Sequence, residues 1–366
     1  MKQKLNSMKS ILKVRFVVCA FVALSSMSVY AQSIRVLDKE GRGIPYVVVT
    51  DKNGSLLGST DMVGTLSDIR GNNELTVAHM AYKTQQVSYN SLQDGYITME
   101  DADYPLPTQD AWTKSELLIE AFYRFYVYDE GRLKGFMTGI MPIFIESPQS
   151  VITGNYWENS VEFGSTSVVA LKTFPFLFST LTMTFPMMIV NDGAIQNALA
   201  IKVKEEGKST QSLSIGKRMI GHTARTGDKI CLSTDMMTII KALFKQMADT
   251  KEREVFSMAM SGNATWQQTA VIGMDDDDMM GINNMKMFSS VFSGNVKGQN
   301  ETIVFETYVT SRKFTNKKEF KAKKKMLKEQ YGKSMTFTQT EAYAAEHHIP
   351  SLASNLNRAI IKLTFK

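Results

Sequence analysis

From Ser33 onward, short β-branched and apolar runs alternate with turn residues every 8–12 positions. That rhythm predicts strands at Ser33–Leu37, Pro45–Thr50, Ser55–Ser59, Thr65–Ile69, Glu74–Met80, Thr84–Tyr89 and Gly95–Met99. Asn53-Gly54 between two of them predicts a type I′ hairpin, because both residues tolerate positive φ. Pro105, Pro107 and the polar stretch to Asp110 read as a linker, with a domain boundary near 103–112. Beyond it the pattern changes. Thr113 or Ser115 can cap a helix through Tyr123, with Leu117, Leu118 and Phe122 on adjoining positions, followed by an aromatic strand Phe125–Tyr128 and a turn at Asp129-Glu130-Gly131. Ser233-Thr234-Asp235 predicts a second helix through about Ala248, with Met236, Ile239, Ile240, Leu243, Phe244 and Met247 at helical spacing. A third is predicted over 317–331, where Phe320, Leu327 and Tyr331 share one side. The expected fold class is mainly β with α+β: a seven-stranded β-sandwich over 32–102, then a larger mixed α+β domain over 103–366.

Three segments of the first part resemble a known family. Ile44-Pro45-Tyr46-Val47-Val48-Val49, Thr60-Asp61-Met62-Val63-Gly64-Thr65-Leu66 and His79-Met80-Ala81-Tyr82-Lys83 look like the marks of the carboxypeptidase regulatory-like domain. Here Leu66 replaces the more usual Phe, and Ala81 the usual Gly before the tyrosine. The resemblance implies a transthyretin-like sandwich of the Gram-negative cell envelope that is not catalytic, holds no metal and serves as a docking or spacer module. Ala121-Phe122-Tyr123-Arg124 is similar to the "FYR" stretch that follows this domain in some envelope proteins.

Charge changes the picture once its location is known. The 366 residues carry +6, which would suggest an anionic partner such as nucleic acid. Yet Lys2, Lys4, Lys9, Lys13 and Arg15 precede an uncharged run from Phe16 to Val29 that ends in Val29-Tyr30-Ala31. This is the pattern of a signal peptide over 1–31, with cleavage expected after Ala31. Without it the chain is +1, too nearly neutral for a nucleic-acid surface, and Cys231 is the remaining cysteine, so no internal disulfide is expected. The expected location is the periplasm or the outer membrane, with no transmembrane helix left after removal of the signal peptide.

Candidate chemistry is sparse. Phe174 to Val190 is uncharged but interrupted by Pro175 and Pro186, which fits core strands, a buried helix, or an apolar groove for a lipid-like ligand. Lys202–Lys208 reads as a charged connection. Asp275–Asp278 lacks the alternating ligands of a calcium loop, and reads as a solvated loop. His79 in a strand reads as a partly buried histidine with a backbone partner, and Cys231 as a small buried hydrophobe. Glu346-His347-His348 lacks zinc spacing. No G-x-S-x-G, P-loop or Rossmann glycine run is present.

The strongest local contrast is between Lys313 and Lys333, where nine lysines face Glu319 and Glu329. Such a helix can dock on the core through its narrow apolar stripe with lysines in solvent, or attract anionic head groups through Lys317, Lys321, Lys324, Lys325 and Lys328. The expectation is therefore a non-enzymatic exported envelope protein, without a cofactor, that binds an envelope partner or a lipid-like apolar ligand. A small outer-membrane β-barrel-associated protein is the alternative, suggested by alternation of Ala359, Ile361, Leu363 and Phe365. A carboxylate-dependent hydrolase is a third, needing two converging carboxylates about 5–10 Å apart.

Overall fold

The computed structural model describes residues 32–69, 73–102, 116–145, 161–163, 166–169, 196–197, 199–206, 210–226, 229–246, 264–273, 284–296, 299–331 and 335–364. These are mostly strand with four helices, a β-rich α+β fold. The first seven strands are β1 (Ser33–Leu37), β2 (Val48–Asp51), β3 (Leu56–Ser59), β4 (Thr65–Ser67), β5 (Glu74–His79), β6 (Tyr82–Ser88) and β7 (Tyr96–Thr98). They lie within the expected runs or a few residues from them. They form two sheets, of order β4-β1-β7 and β3-β2-β5-β6. Ile34, Val36, Val47, Val49, Leu75, Val77 and Ile97 come from both sheets and meet in one buried cluster. Strand β2 starts at Val48 rather than Pro45, because Tyr46 has φ 60° and breaks the extended run.

The turns repeat one device. Asp38, Asp51 and Asp61 each begin a D-x-x-G segment, and each accepts through Oδ1 from the amides two and four residues on. The amide of Gly41, Gly54 or Gly64 then donates to the aspartate's own carbonyl, and each glycine has φ between 77° and 81°. The expected type I′ turn at Asn53-Gly54 is therefore corrected. Of that pair only Gly54 has positive φ, because the Asp51 carboxylate organises a wider loop. A two-residue turn with positive φ at both positions does occur at Glu130-Gly131, with φ 45° and 73°.

The larger part forms an 11-stranded sheet. Its strands are β8 (Glu116–Asp129), β9 (Arg132–Ile145), β10 (Val161–Phe163), β11 (Thr166–Val169), β12 (Ile201–Glu205), β13 (Thr210–Ile215), β14 (Arg218–Thr226), β15 (Lys229–Asp235), β16 (Thr265–Gly273), β17 (Met285–Val296) and β18 (Gln299–Thr315). The order is β10-β9-β8-β18-β17-β16-β15-β14-β13-β12, with β11 also on β9. Among the described residues this path is open, ending at β10 and β12. Strand β18 returns to pair with β8, which closes the long connection between them.

Three expectations are corrected here. The helix expected to run through Tyr123 is strand β8, while Thr113 and Ser115 lie outside the described residues. Leu117, Ile119, Ala121, Tyr123 and Phe125 bury one face of β8, and Phe122, Tyr126 and Tyr128 bury the other. A strand covered on both sides reads as an unbroken apolar run, which periodicity cannot tell from a helix. The charged connection Lys202–Lys208 contains edge strand β12, whose charged residues suit an open sheet edge. The alternating Ala359–Phe365 stretch is helical up to Thr364, because Leu356 and Ile360, four apart, face one apolar cluster. The runs 174–190 and 275–278 lie outside the described residues.

Helix α1 (Met236–Gln246) packs on one face of the sheet against Leu232, Trp266 and Phe288. It begins as expected from Asp235, whose carboxylate accepts from the Thr238 amide and hydroxyl. The opposite face carries α2 (Lys317–Tyr331), α3 (Phe337–Glu346) and α4 (Ser354–Thr364). The N-terminal sheets share that face. Tyr126, Tyr128 and Phe136 cluster with Val48 and Leu56 of the first unit and with Leu352, Leu356 and Ile360 of the last. The buried Asn355 Nδ2 donates to Thr50 Oγ1 at 3.1 Å and to the Asp51 carbonyl at 2.7 Å. Among the described residues no helix is long and apolar enough to cross a membrane.

The repeated turn gives a paired prediction. A Cβ at Gly41 would meet nothing within 4 Å, whereas at Gly64 it would lie 2.5 Å from the Val36 carbonyl oxygen and 2.8 Å from Gly43 Cα. Gly41→Ala should cost about 1 kcal/mol, the price of left-handed φ alone, and Gly64→Ala roughly 3 kcal/mol. Urea unfolding of the two variants measures the difference; equal midpoints would contradict it.

Candidate docking surface

Helix α2 starts at Asn316, whose side-chain oxygen accepts from the amides of Lys318 (3.0 Å) and Glu319 (3.1 Å). Phe320 and Leu327, two turns apart, are buried, and the Phe320 ring stacks on Phe144 at 5.2 Å between centroids. The helix is thus fixed by its apolar stripe, and lysines take about half of its other positions, beside Glu319 and Glu329. Lys318, Lys321 and Lys325 lie on one exposed face at i, i+3 and i+7. Of the five lysines singled out in the sequence, Lys321 and Lys325 lie on this face. Lys324 is also exposed, but its Nζ sits 5.2 Å over the Phe320 ring. Lys317 is half-buried and has a contact of its own, and the Lys328 side chain lies outside the described residues. Lys318 was not among the five; it becomes visible once the inward direction of Phe320 is known.

A buried polar network lies under and beside this helix. Lys323, half-buried, reaches inward to Glu120 at 2.5 Å, and Glu120 Oε1 accepts from the Tyr343 hydroxyl of α3 at 2.8 Å. Thr310, at the bulge where β18 shifts register against β8, shares a 2.8 Å hydrogen bond with the same hydroxyl. Four residues further along β8 from Glu120 lies Arg124, the last residue of the Phe122-Tyr123-Arg124 stretch, only 2% exposed. Its Nη1 donates to the Pro350 carbonyl at 2.7 Å, and its Nη2 is 3.6 Å from Glu341 of α3. Across the sheet it faces Glu306, which accepts from the Tyr126 hydroxyl at 3.2 Å and from Tyr308.

The electrostatics follow from burial. Burial raises the Glu306 pKa, against the pull of Arg124 and the tyrosine hydrogen bonds. For Arg124, burial alone would lower the pKa, but the facing phenols of Tyr126 and Tyr308 with Glu341 and Glu306 hold it above its ordinary value. Phe122 and Tyr123 divide between the faces. Phe122 stacks on Tyr343 at 6.0 Å, while Tyr123 packs on Phe305 at 6.2 Å on the other side.

An open cleft of about 400 Å³ runs between α2 and the ends of β8 and β18, and it contains two carboxylates, Glu120 and Glu319. Each is held by a lysine, Glu319 by Lys313 at 2.9 Å. The Glu319 pKa is lowered by that hydrogen bond, the opposite of what a general acid requires.

The other candidate groups are structural in their surroundings. His79 Nδ1 accepts from the Ala81 amide at 3.2 Å, as the sequence predicts, and burial lowers its pKa to about 4. Burial pushes the Cys231 thiol up to about 12, so it stays protonated and weakly nucleophilic at neutral pH. His222 faces Ser233 across the β14–β15 pair, and burial lowers its pKa. His347 stacks on Tyr343 at 4.0 Å, and His348 takes φ 56° as the chain leaves α3. Among the described residues no group of three or more His, Cys, Asp or Glu is arranged to hold a metal. No protein-family model matches the chain, and no curated protein matches it.

Two stability measurements test this description. Tyr343→Phe keeps both ring stacks but removes the donor to buried Glu120, and should cost about 1–3 kcal/mol in urea unfolding; an unchanged midpoint would contradict the network. His79 has a folded pKa of about 4 against an ordinary 6.5, so the unfolded chain takes up the proton first. Its contribution is present above pH 6.5 and lost as pH falls toward 4, about 3 kcal/mol. A His79→Gln variant should lose that part of the slope in a pH series of unfolding curves.

Proposed function

We propose that the protein is an exported, non-catalytic binding protein of the cell envelope, which docks on anionic membrane surfaces through the Lys318, Lys321 and Lys325 face of α2. In this reading residues 32–102 are a carboxypeptidase regulatory-like, transthyretin-like seven-stranded sandwich, and act as the docking or spacer module. Supporting this part are the three matching segments, which coincide with the start of β2, the Asp61 turn and the β5–β6 turn. Supporting export is the basic, then apolar, then small-residue pattern of 1–31.

The observation that carries the docking role is the division of α2. Its apolar residues Phe320 and Leu327 are turned into the protein, so Lys318, Lys321 and Lys325 are held on one outward face, where Lys325 also pairs loosely with the exposed Glu329 at 3.6 Å. Met326, 43% exposed, lies beside them and offers a small apolar contact. Each lysine near an anionic leaflet contributes about 1 kcal/mol, so three give roughly 3 kcal/mol. Attachment of that strength is peripheral and reversible, and salt weakens it.

Co-sedimentation with vesicles tests the proposal. Binding is expected to phosphatidylglycerol-containing vesicles but not to pure phosphatidylcholine, to fall as salt rises from 50 to 500 mM, and to be lost in the Lys318→Glu/Lys321→Glu/Lys325→Glu variant. Equal binding by that variant, or equal binding to neutral vesicles, would overturn it.

A further inference from the structure

The seam between the N-terminal sheets and the large sheet holds a cleft of about 340 Å³, at the lower end of the range for small-molecule sites. Its walls come from three parts of the chain. Tyr46 and Met62 belong to the first unit, Met219 to the start of β14, and Met237 and Ala264 to the apolar cluster under α1. The last two give the cleft a rigid floor, and the methionines give it an apolar wall that adapts to irregular shapes.

The polar groups around this cleft are unequally committed. The acceptors are largely occupied, with Asp61 Oδ2 the exception among the described residues. Asp61 Oδ1 accepts from the Val63 and Thr65 amides of its own turn. Asp235 caps α1 and pairs with Arg218 at 2.9 Å. The donors have capacity left. Gln267 accepts the Ser59 hydroxyl at 2.6 Å through Oε1, which leaves its amide Nε2 to donate. Lys241 stands exposed at the rim, one and a half turns along α1 from Asp235, and among the described residues it forms no ion pair. Only one nitrogen of the exposed Arg218 is used by Asp235.

A cleft with an apolar wall, largely occupied acceptors and the unpaired Lys241 and Gln267 donors on the side of α1 and β16 suits an anion attached to an apolar body. We infer that this seam is a binding site for a small apolar carboxylate, its carboxyl group on Lys241 and Gln267 and its body against Met62, Met219 and Met237. This site is independent of docking through α2. It also gives a reason for Tyr46 at φ 60°, a conformation rarely tolerated by an aromatic residue: it turns the buried ring into the wall of the cleft, with its hydroxyl 3.7 Å from Met62 Sδ.

Isothermal titration of the purified protein with octanoate, 1-octanol and octylamine tests the inference. Octanoate is expected to bind with one site per chain, at least tenfold more tightly than the alcohol or the amine. Lys241→Met, a change at an exposed helix position, should weaken octanoate at least tenfold with no shift in thermal unfolding, while Lys217→Met outside the cleft should change nothing. The triple α2 charge variant should bind octanoate like the parent, which separates this site from the docking surface. Absence of octanoate binding, equal binding of octylamine, or an unaltered affinity in Lys241→Met would each overturn it.

Discussion

A guanidinium cannot give up its charge, so burying one commits the surrounding chain to supply partners. Arg124 is 2% exposed on an interior strand of an 11-stranded sheet, and its partners come from well-separated parts of the sequence. The Pro350 carbonyl, from the segment between α3 and α4, accepts its hydrogen bond, Glu341 of α3 lies 3.6 Å away, and Glu306 on the neighbouring strand acts through its charge. The attraction within such a group roughly offsets the cost of removing it from water, so the network adds little net stability. What it adds is specification. A C-terminal segment placed elsewhere would leave a buried charge alone, at a cost of about 3–5 kcal/mol.

That constraint links the remaining features. With α3 fixed, Tyr343 reaches Glu120, and Glu120 draws Lys323 inward, which settles the rotation of α2. The rotation puts Phe320 on Phe144 and leaves Lys318, Lys321 and Lys325 outside. With Pro350 fixed, α4 follows and lays Leu356 and Ile360 on the cluster of Tyr126, Tyr128 and Phe136. Asn355 then holds the β2–β3 hairpin, so the first and last segments of the described chain cover one face of the sheet together. The seam cleft and the lysine face are both consequences of this arrangement, one between the units and one on its outer surface.

The first seven strands were legible because they are half-exposed and their turns carry Asp and Gly at fixed offsets. The Asp51 loop shows the limit of that reading: Asn53-Gly54 suggested a two-residue turn, yet the carboxylate two residues earlier decided the geometry. Strand β8 was hidden by the burial of both its faces. Helix α4 was hidden because Ala359 to Phe365 fits a period of two as well as it fits four-residue spacing when Leu356 is ignored. The lysine-rich helix was legible from its charge and from the spacing of Phe320, Leu327 and Tyr331, but which lysines face outward depends on Phe144, more than 170 residues away in sequence. The partners of Arg124 and the donors of the seam cleft were invisible for the same reason, since they meet only through the order of the strands.

The central claim is that Arg124 fixes the C-terminal helices on the sheet, and amide hydrogen exchange of an Arg124→Met variant tests it most directly. Removing the guanidinium leaves the Pro350 carbonyl and Glu341 without it, and should release α3 and the segment from Ile349 to Ile360, raising their exchange a hundredfold or more, while β16 and β17 keep their protection. Unchanged protection in α3, or an equal loss spread across β16 and β17, would show that the helices are held by something other than this charge.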